Sequence, residues 1–286
     1  MRLGMSYANF SHPDWEHRLT DRLSETARVA DQGGVAQLTV MDHWLQMELL
    51  GGPDQPMLAG YTTLGYLAAV TERLRLGLLV TGTTYRHPGL LAKTVTTLDV
   101  LSRGRAMLGI GAAWYQREHD GLGVPFPSTR ERFERLEETL QIVRQMWSGD
   151  QTPYAGTHYE LKEPVNVPPP VQSPPPIMVG GGGERKTLRL VAQYADAWNI
   201  VGPTPHELAH KLDVLRGHCA AAGTDFDRIE KTLLVMSDPL ADGFVESMAP
   251  YADLGISMVI VVPTGPDPVA WTTEVCERVV PRIAEL

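Results

Sequence analysis

The stretch from residue 75 to residue 118 constrains the fold more than any other part of the sequence. Residues 76–80 form an apolar run that ends at a Thr-Gly pair, and residues 106–110 form a second apolar run. Between them, residues 88–101 carry apolar side chains at helical spacing, and proline at position 88 suits a first helical turn. Two buried strands joined by a crossover helix form a βαβ unit. This unit predicts a parallel sheet covered by helices.

The alternation of apolar strand and amphipathic helix recurs along the chain. We identify eight strands, each followed by a helix, at residues 3–7, 37–41, 76–80, 106–110, 177–179, 197–201, 232–236 and 258–262. Eight regular units predict an α/β fold of the (β/α)8 TIM-barrel type, in which ligands bind at the carboxyl ends of the strands. A doubly wound open sheet accommodates the same pattern, but the regularity favours the barrel. We therefore expect one TIM-barrel domain over residues 1–286.

Residues 148–176 interrupt this rhythm between the fourth and fifth strands. The segment contains two runs of three prolines, and repeated proline forms neither a helix nor an interior strand. We predict a short hairpin near residues 154–161, followed by an extended crossing. A linker between two domains is the alternative. The strand–helix alternation resumes after residue 176, which favours an insertion within one barrel.

Charge and cysteine content exclude several classes of protein. The formal net charge of −9 argues against nucleic-acid binding. The two cysteines, Cys219 and Cys276, fit neither a zinc site nor a disulfide framework, so we expect a reducing compartment. No segment reaches the length of a membrane span, and the first residues lack the layout of a signal peptide. These features together predict a cytoplasmic enzyme that binds a small molecule and no membrane.

Polar and glycine-rich motifs follow three of the predicted strands. Asp42 and His43 come directly after the second strand. Histidine transfers protons near neutral pH, and an adjacent carboxylate can set its tautomer, although a structural role for such a pair is equally open. The small residues 109–113 end the fourth strand, where a ligand can approach the backbone. Four glycines, 180–183, precede a helix that we predict over residues 184–194, and N–H groups at a helix N-terminus attract phosphate.

Three stretches together resemble the luciferase-like monooxygenase superfamily. They are VMDHW at 40–44, TTYRHPGLLAKTVTTLDVLSRGRAMLGIGAAWYQREH at 83–119, and PIMVGGGGERKTLRLVAQYADAWN at 176–199. Within the superfamily, the sequence is most similar to the oxidoreductases of actinobacteria that depend on coenzyme F420, a deazaflavin. The resemblance implies hydride transfer between C5 of F420 and a small organic substrate, with reduction of an activated C=C or C=N bond as the leading expectation. An FMN-dependent monooxygenase and a non-catalytic flavin-binding barrel are the alternatives.

The resemblance also implies roles for individual residues. It places Asp42 and His43 at the cofactor ring, with His43 as acid or base. We assign Trp44 and Trp114 to the substrate pocket, with a cap on the barrel mouth as the alternative for Trp44. The resemblance places a non-proline cis peptide between Leu79 and Val80, behind the ring. The other cofactor contacts that it implies are Thr81, Gly82, Gly111, Ala112, Ala113, Gly180, Gly181, Gly182 and Gly183. No metal site is expected, because the histidines lack metal-binding spacing with a third ligand.

The sequence departs from the family pattern at several positions. Related sequences usually have glycine at position 113 and often serine in the loop where Gly182 stands. Similar glucose-6-phosphate dehydrogenases have a catalytic glutamate just after the fourth strand, where this chain has Trp114, which argues against a sugar-phosphate substrate. We predict that Glu118 is a structural hydrogen-bonding group and that His87 braces its loop. Similar barrels often dimerise, so we expect a homodimer.

Overall fold

Parallel strands close into a barrel, as the alternation of strands and helices predicts. The computed structural model describes residues 1–286. The strands are β1 (Arg2–Tyr7), β2 (Gln37–Val40), β3 (Arg75–Leu78), β4 (Thr81–Gly82), β5 (Ala106–Gly111), β6 (Tyr154–Ala155), β7 (Glu160–Leu161), β8 (Ile177–Gly180), β9 (Ala197–Val201), β10 (Glu230–Leu234) and β11 (Met258–Val261). The order around the barrel is β1-β2-β3-β5-β8-β9-β10-β11, and β11 pairs with β1 to close it. The short β4 pairs with the end of β5.

Helices surround the barrel and bury their apolar faces against it. They are α1 (Trp15–Gln32), α2 (Gly60–Val70), α3 (Pro88–Leu101), α4 (Gln116–Leu122), α5 (Thr129–Trp147), α6 (Thr187–Tyr194), α7 (Pro205–Ala222), α8 (Phe244–Asp253), α9 (Pro268–Arg278) and α10 (Val280–Ile283). In α3, the apolar side chains that recur at helical spacing are buried, including Leu91, Val95 and Leu98. A capping box formed by Thr204 and Glu207 begins α7, and Gly223 in a left-handed conformation ends it. None of these helices is long and apolar enough to cross a bilayer.

Several predicted boundaries differ from the structure, and the seventh barrel strand is Glu230–Leu234 rather than residues 232–236. The third strand ends at Leu78 rather than at residue 80, and the Leu79–Val80 peptide is cis, as the resemblance implies. Helix α6 begins at Thr187 rather than at residue 184, because residues 184–186 form turns after the glycine loop. The last predicted helix is two helices, α9 and α10, which are separated at Val279. The short α4, which contains a glycine, was not predicted as an element.

The proline-rich segment forms the predicted hairpin and crossing. Strands β6 and β7 pair antiparallel, and the carboxylate of Glu138 in α5 accepts the backbone N–H of Thr157 at 2.8 Å and of Tyr159 at 3.1 Å. The crossing then runs along α3, where the buried carboxylate of Asp99 accepts the N–H of Val171 at 2.7 Å and of Gln172 at 2.9 Å. A half-buried carboxylate on α5 and a buried carboxylate on α3 therefore fix this segment against the barrel.

Candidate active site

A cavity of about 380 Å³ lies at the carboxyl ends of the barrel strands. Eleven of the residues that the resemblance assigns to the site line it: His43, Leu79, Val80, Thr81, Gly82, Gly111, Ala112, Ala113, Trp114, Gly180 and Gly181. Gly182 lines an adjoining cavity of about 620 Å³, which shares Gly181 and Val201 with the first. Asp42, Trp44 and Gly183 line neither cavity. Tyr85, Arg132, Thr187 and Asn199 also line the first cavity and were not singled out from the sequence.

Close packing explains three glycines at the ends of β5 and β8. A Cβ atom on Gly109 would lie 1.9 Å from the carbonyl oxygen of Leu78, which no side chain tolerates. On Gly111 it would lie 3.2 Å from Cγ2 of Val80, and on Gly180 it would lie 3.1 Å from Cγ1 of Val80. We expected these small residues to let a ligand approach. Gly111 and Gly180 line the cavity and also accommodate the side chain of Val80, whereas Gly109 accommodates the carbonyl at the end of β3.

Asp42 is held by an arginine instead of facing the cavity. Its carboxylate is buried and pairs with the guanidinium of Arg86, with Nη2 to Oδ1 at 2.9 Å and a second bond from Nη1. Nη1 of Arg86 also donates to Oγ1 of Thr81 at 3.2 Å. Burial lowers the pKa of Arg86, but the contacts with Asp42 outweigh burial and raise it overall. The pair therefore joins the loop after β2 to the loop after β4, and it fixes the backbone next to His43.

His43 is oriented by a buried carboxylate 75 residues further along the chain. Nδ1 of His43 lies 2.9 Å from Oε1 of Glu118, whose side chain is fully buried in α4. Oε2 of Glu118 accepts the backbone N–H of Trp44 at 2.7 Å, and Tyr85 donates its hydroxyl to Oε1. Burial raises the pKa of Glu118, but the hydrogen bonds from His43, Tyr85 and Trp44 hold it below its ordinary value. Glu118 is therefore ionised at neutral pH and accepts from these donors.

An ionised partner determines which nitrogen of His43 is free. Because a carboxylate only accepts hydrogen bonds, Nδ1 of His43 carries the hydrogen that faces Glu118. In the neutral ring, Nε2 is then an acceptor that can take a proton from a ligand. We predicted Glu118 as a hydrogen-bonding group, and these contacts confirm it. The sequence did not indicate that its partner is His43.

The two tryptophans that we assigned to the substrate pocket have different positions. Trp114 lines the cavity, is 62% exposed, and lies with its ring centroid 5.5 Å from that of His43. Trp44 packs against Tyr85 at 4.3 Å and against His119 at 4.9 Å, measured between ring centroids. Burial, followed by the bond to Glu118, raises the pKa of Tyr85 far above its ordinary value, so this hydroxyl stays protonated. Trp44 thus packs beside Tyr85 and outside the cavity.

The glycine loop after β8 borders both cavities. Gly181 has φ of 119°, a conformation that only glycine adopts without strain. Thr187 is buried and lines the first cavity, and its Oγ1 would lie 2.9 Å from a Cβ atom on Gly183. A hydroxyl is therefore available at the loop, although serine is absent at position 182. Because α6 begins after residue 186, the loop itself carries the free N–H groups, which corrects the expectation of a helix starting at 184.

The conformation of Ala113 leads to a prediction about stability. Its φ is 61°, in the left-handed region that favours glycine. This region costs a non-glycine residue about 1–2 kcal/mol, and glycine's extra freedom in the unfolded chain offsets about 0.4–1 kcal/mol of any relief. Ala113→Gly should therefore raise the free energy of unfolding by about 0.5–1 kcal/mol, measured by urea unfolding.

Ala112→Gly is the matched control for this prediction. Ala112 lines the same cavity without a positive φ, so glycine there should lower the free energy of unfolding by about 0.5–1 kcal/mol. Opposite signs for the two neighbouring variants are expected. Equal destabilisation by both would show that the left-handed conformation of Ala113 carries no strain.

Comparison with known proteins assigns the chain to a family. The sequence model of the luciferase-like monooxygenase family matches residues 1–238, and the chain belongs to this family. An uncharacterised protein of Mycobacterium tuberculosis is 32% identical over 200 residues, which cover 70% of this chain and 67% of that protein. An F420-dependent glucose-6-phosphate dehydrogenase of Microbacterium testaceum is 34% identical over 186 residues, or 64% of this chain. The match covers 54% of the length of that dehydrogenase.

Solved structures share the whole barrel at low sequence identity. An F420-dependent secondary alcohol dehydrogenase in complex with an F420–acetone adduct aligns with a TM-score of 0.82 and 16% identity, over 99% of each chain. A long-chain alkane monooxygenase aligns with a TM-score of 0.81 and 16% identity, over 100% of this chain and 92% of the other. At this level of identity, the alignments establish the TIM-barrel fold and nothing more specific.

Proposed function

We propose that this chain is an F420-dependent oxidoreductase that transfers a hydride between C5 of the deazaflavin and an uncharged organic substrate. The observation that carries the proposal is the His43–Glu118 pair, which presents an oriented histidine to a cavity that adjoins a glycine loop. Relatives named as F420-dependent dehydrogenases support the choice of cofactor. Once bound, the cofactor supplies the two-electron chemistry, and the protein supplies orientation and proton transfer.

The residues present fit a flavin-like ligand that carries a phosphate. The cavity that His43 lines is also lined by Val80, Gly181 and Thr187. The N–H groups of the glycine loop and the hydroxyl of Thr187 would hold the phosphate. Val80 would lie against the ring, since its side chain projects between the glycine backbones of β5 and β8.

His43 is the residue that we assign to proton transfer. In the reductive direction, a protonated His43 gives a proton from Nε2 to the product. In the oxidative direction, Nε2 of the neutral ring takes the proton of an alcohol. Glu118 stabilises the cationic ring in both directions, because its carboxylate is ionised and bonded to Nδ1. We infer reduction of an activated C=C or C=N bond as the leading reaction.

The charges that line the cavity favour an uncharged substrate. Apart from His43, the only ionisable basic side chain in the lining is Arg132. Its guanidinium already donates to the carbonyl of Ala112 at 3.0 Å and to that of Pro127 at 2.7 Å. A phosphorylated sugar would find no free cation beside His43, which agrees with the expectation from the family resemblance that Trp114 argues against a sugar-phosphate substrate. Trp114 offers instead an exposed apolar ring to an organic substrate.

An anaerobic reaction tests this proposal. Chemically reduced F420 is mixed with the protein and a panel of enones, imines and ketones, and the return of the oxidised absorption band is followed. We expect reoxidation that requires both the protein and one class of acceptor, in the absence of oxygen. Reoxidation that requires oxygen, or turnover only with FMN, would contradict the proposal.

The second candidate function is an FMN-dependent monooxygenase. The family name and the shared barrel of a long-chain alkane monooxygenase favour it, and the same loop would hold the phosphate of FMN. In that case oxygen consumption would accompany substrate turnover. A non-catalytic flavin-binding barrel is disfavoured, because such a protein has no use for a buried carboxylate that orients a histidine. For either enzyme, we expect a cytoplasmic homodimer.

A further inference from the structure

Three consecutive carbonyl groups of the glycine loop are each bonded to a different element. The carbonyl of Gly181 accepts Nε1–H of Trp198 in β9 at 2.8 Å. The carbonyl of Gly182 accepts Nζ of Lys211 in α7 at 2.9 Å. The carbonyl of Gly183 accepts the backbone N–H of Leu188 in α6 at 3.0 Å. Every oxygen of this loop segment therefore has a donor within the protein, and none is left to repel an anion.

The orientation of these carbonyls determines where the N–H groups point. In a trans peptide, the carbonyl and the following N–H lie on opposite sides of the chain. The N–H groups of Gly182, Gly183 and Glu184 consequently point away from Trp198, Lys211 and Leu188. None of these three N–H groups donates to an acceptor within the protein. Successive free N–H groups in a glycine turn form an anion-binding concavity.

We infer that Lys211 and Trp198 are positioning residues for the phosphate of the cofactor: they fix the carbonyls of Gly182 and Gly181 so that the loop N–H groups face the ligand. This inference rests on the proposed function, which puts a phosphate at the loop. Lys211 would then act on the phosphate indirectly, by holding the backbone carbonyl of Gly182 in place. Its charge is balanced by Glu184, whose Oε1 lies 3.3 Å from Nζ, so the lysine is not a free cation.

Substitution of Lys211 tests the inference because the residue is partly exposed and distant from the barrel core. Binding of F420 and of the deazaflavin riboside that lacks the phosphate is measured by fluorescence titration. Lys211→Met should weaken F420 binding roughly tenfold, as expected for loss of one charge-assisted hydrogen bond. Binding of the riboside should not change. Lys211→Arg keeps a donor for Gly182 and should recover most of the affinity.

Lys231→Met is the matched control. Nζ of Lys231 also donates to a backbone carbonyl, that of Phe226, at 2.7 Å, but Phe226 and Lys231 line neither cavity. This variant should bind both ligands as the unmodified protein does. The F420 affinity of the unmodified protein, divided by that of Lys211→Met, should be the same at low and high salt. The reason is that Lys211 acts through a hydrogen bond to the loop and not through its charge.

Several results would overturn the inference. One is that Lys211→Met loses F420 and riboside binding equally, and another is that it loses neither. A third is that the difference in F420 affinity between the unmodified protein and Lys211→Met disappears at high salt, which would show that the lysine charge attracts the phosphate directly. If the protein prefers FMN, the proposed cofactor is wrong, and the same comparison between FMN and riboflavin tests the loop. A protein that binds neither phosphorylated ligand more tightly than its dephosphorylated form contradicts the inference as well.

Discussion

Replacing His43 by alanine is expected to lower turnover about 10²- to 10⁴-fold, the usual contribution of a positioned general acid or base. The expected cause is the loss of Nε2, the nitrogen that the bond from Nδ1 to Glu118 leaves free. Binding of the cofactor should change little, because the phosphate contacts that we assign are made by the glycine loop and do not include His43. The rate of anaerobic oxidation of reduced F420 in a single turnover is the appropriate measurement.

His87→Ala is the control for this experiment. His87 belongs to the same family motif, but it lines a different cavity and accepts the N–H of Gly89 at the start of α3. Its loss should leave turnover within about twofold, since it touches no group in the proposed mechanism. If turnover is undiminished in His43→Ala, or if His87→Ala lowers turnover by as much as His43→Ala does, His43 does not transfer the proton.

Replacing Arg86 by methionine is expected to lower the free energy of unfolding by about 3–5 kcal/mol, because it leaves the buried carboxylate of Asp42 without its partner. Asp42 is only 2% exposed, and the guanidinium supplies both of its side-chain hydrogen bonds. The double variant Asp42→Asn with Arg86→Met removes the unpaired charge. It should be more stable than Arg86→Met alone. Urea unfolding of the three proteins measures both effects.

Arg117→Met provides the matched surface control. Arg117 pairs with Glu48, and both side chains are more than half exposed, so water already solvates the two charges. Its substitution should leave the unfolding midpoint unchanged. The account of the Asp42–Arg86 pair fails if Arg86→Met is as mild as Arg117→Met, or if the double variant is less stable than the single one.

The elements of the barrel could be predicted because each has a local signature. Helix α3, helix α7 and strand β9 have the bounds that periodicity and flanking residues predict. Burial on both faces makes most of the parallel strands predominantly apolar, and this signal needs no information from other parts of the chain. Boundaries failed where the local signal was weak. Helix α6 begins late, because glycines and charged residues around position 184 are compatible with both a turn and a helix.

Contacts between distant residues could not be predicted in the same way. The sequence singles out His43 and Glu118 separately, but they are brought together by the strand order of the sheet, in which only β3 separates β2 from β5. The reason for Gly109 was likewise hidden, since it depends on the carbonyl of Leu78 approaching from β3. The hydrogen bond from Lys211 to the carbonyl of Gly182 joins α7 to the loop after β8, and no local sequence pattern predicts it.

Binding of a deazaflavin at the barrel mouth is measured by titrating the purified protein in parallel with F420 and with FMN. Ring fluorescence is followed at equal concentrations of the two ligands. The account predicts micromolar or tighter binding of F420 and much weaker binding of FMN. Tighter binding of FMN than of F420 would contradict it and would place the protein among the oxygen-using members of its family.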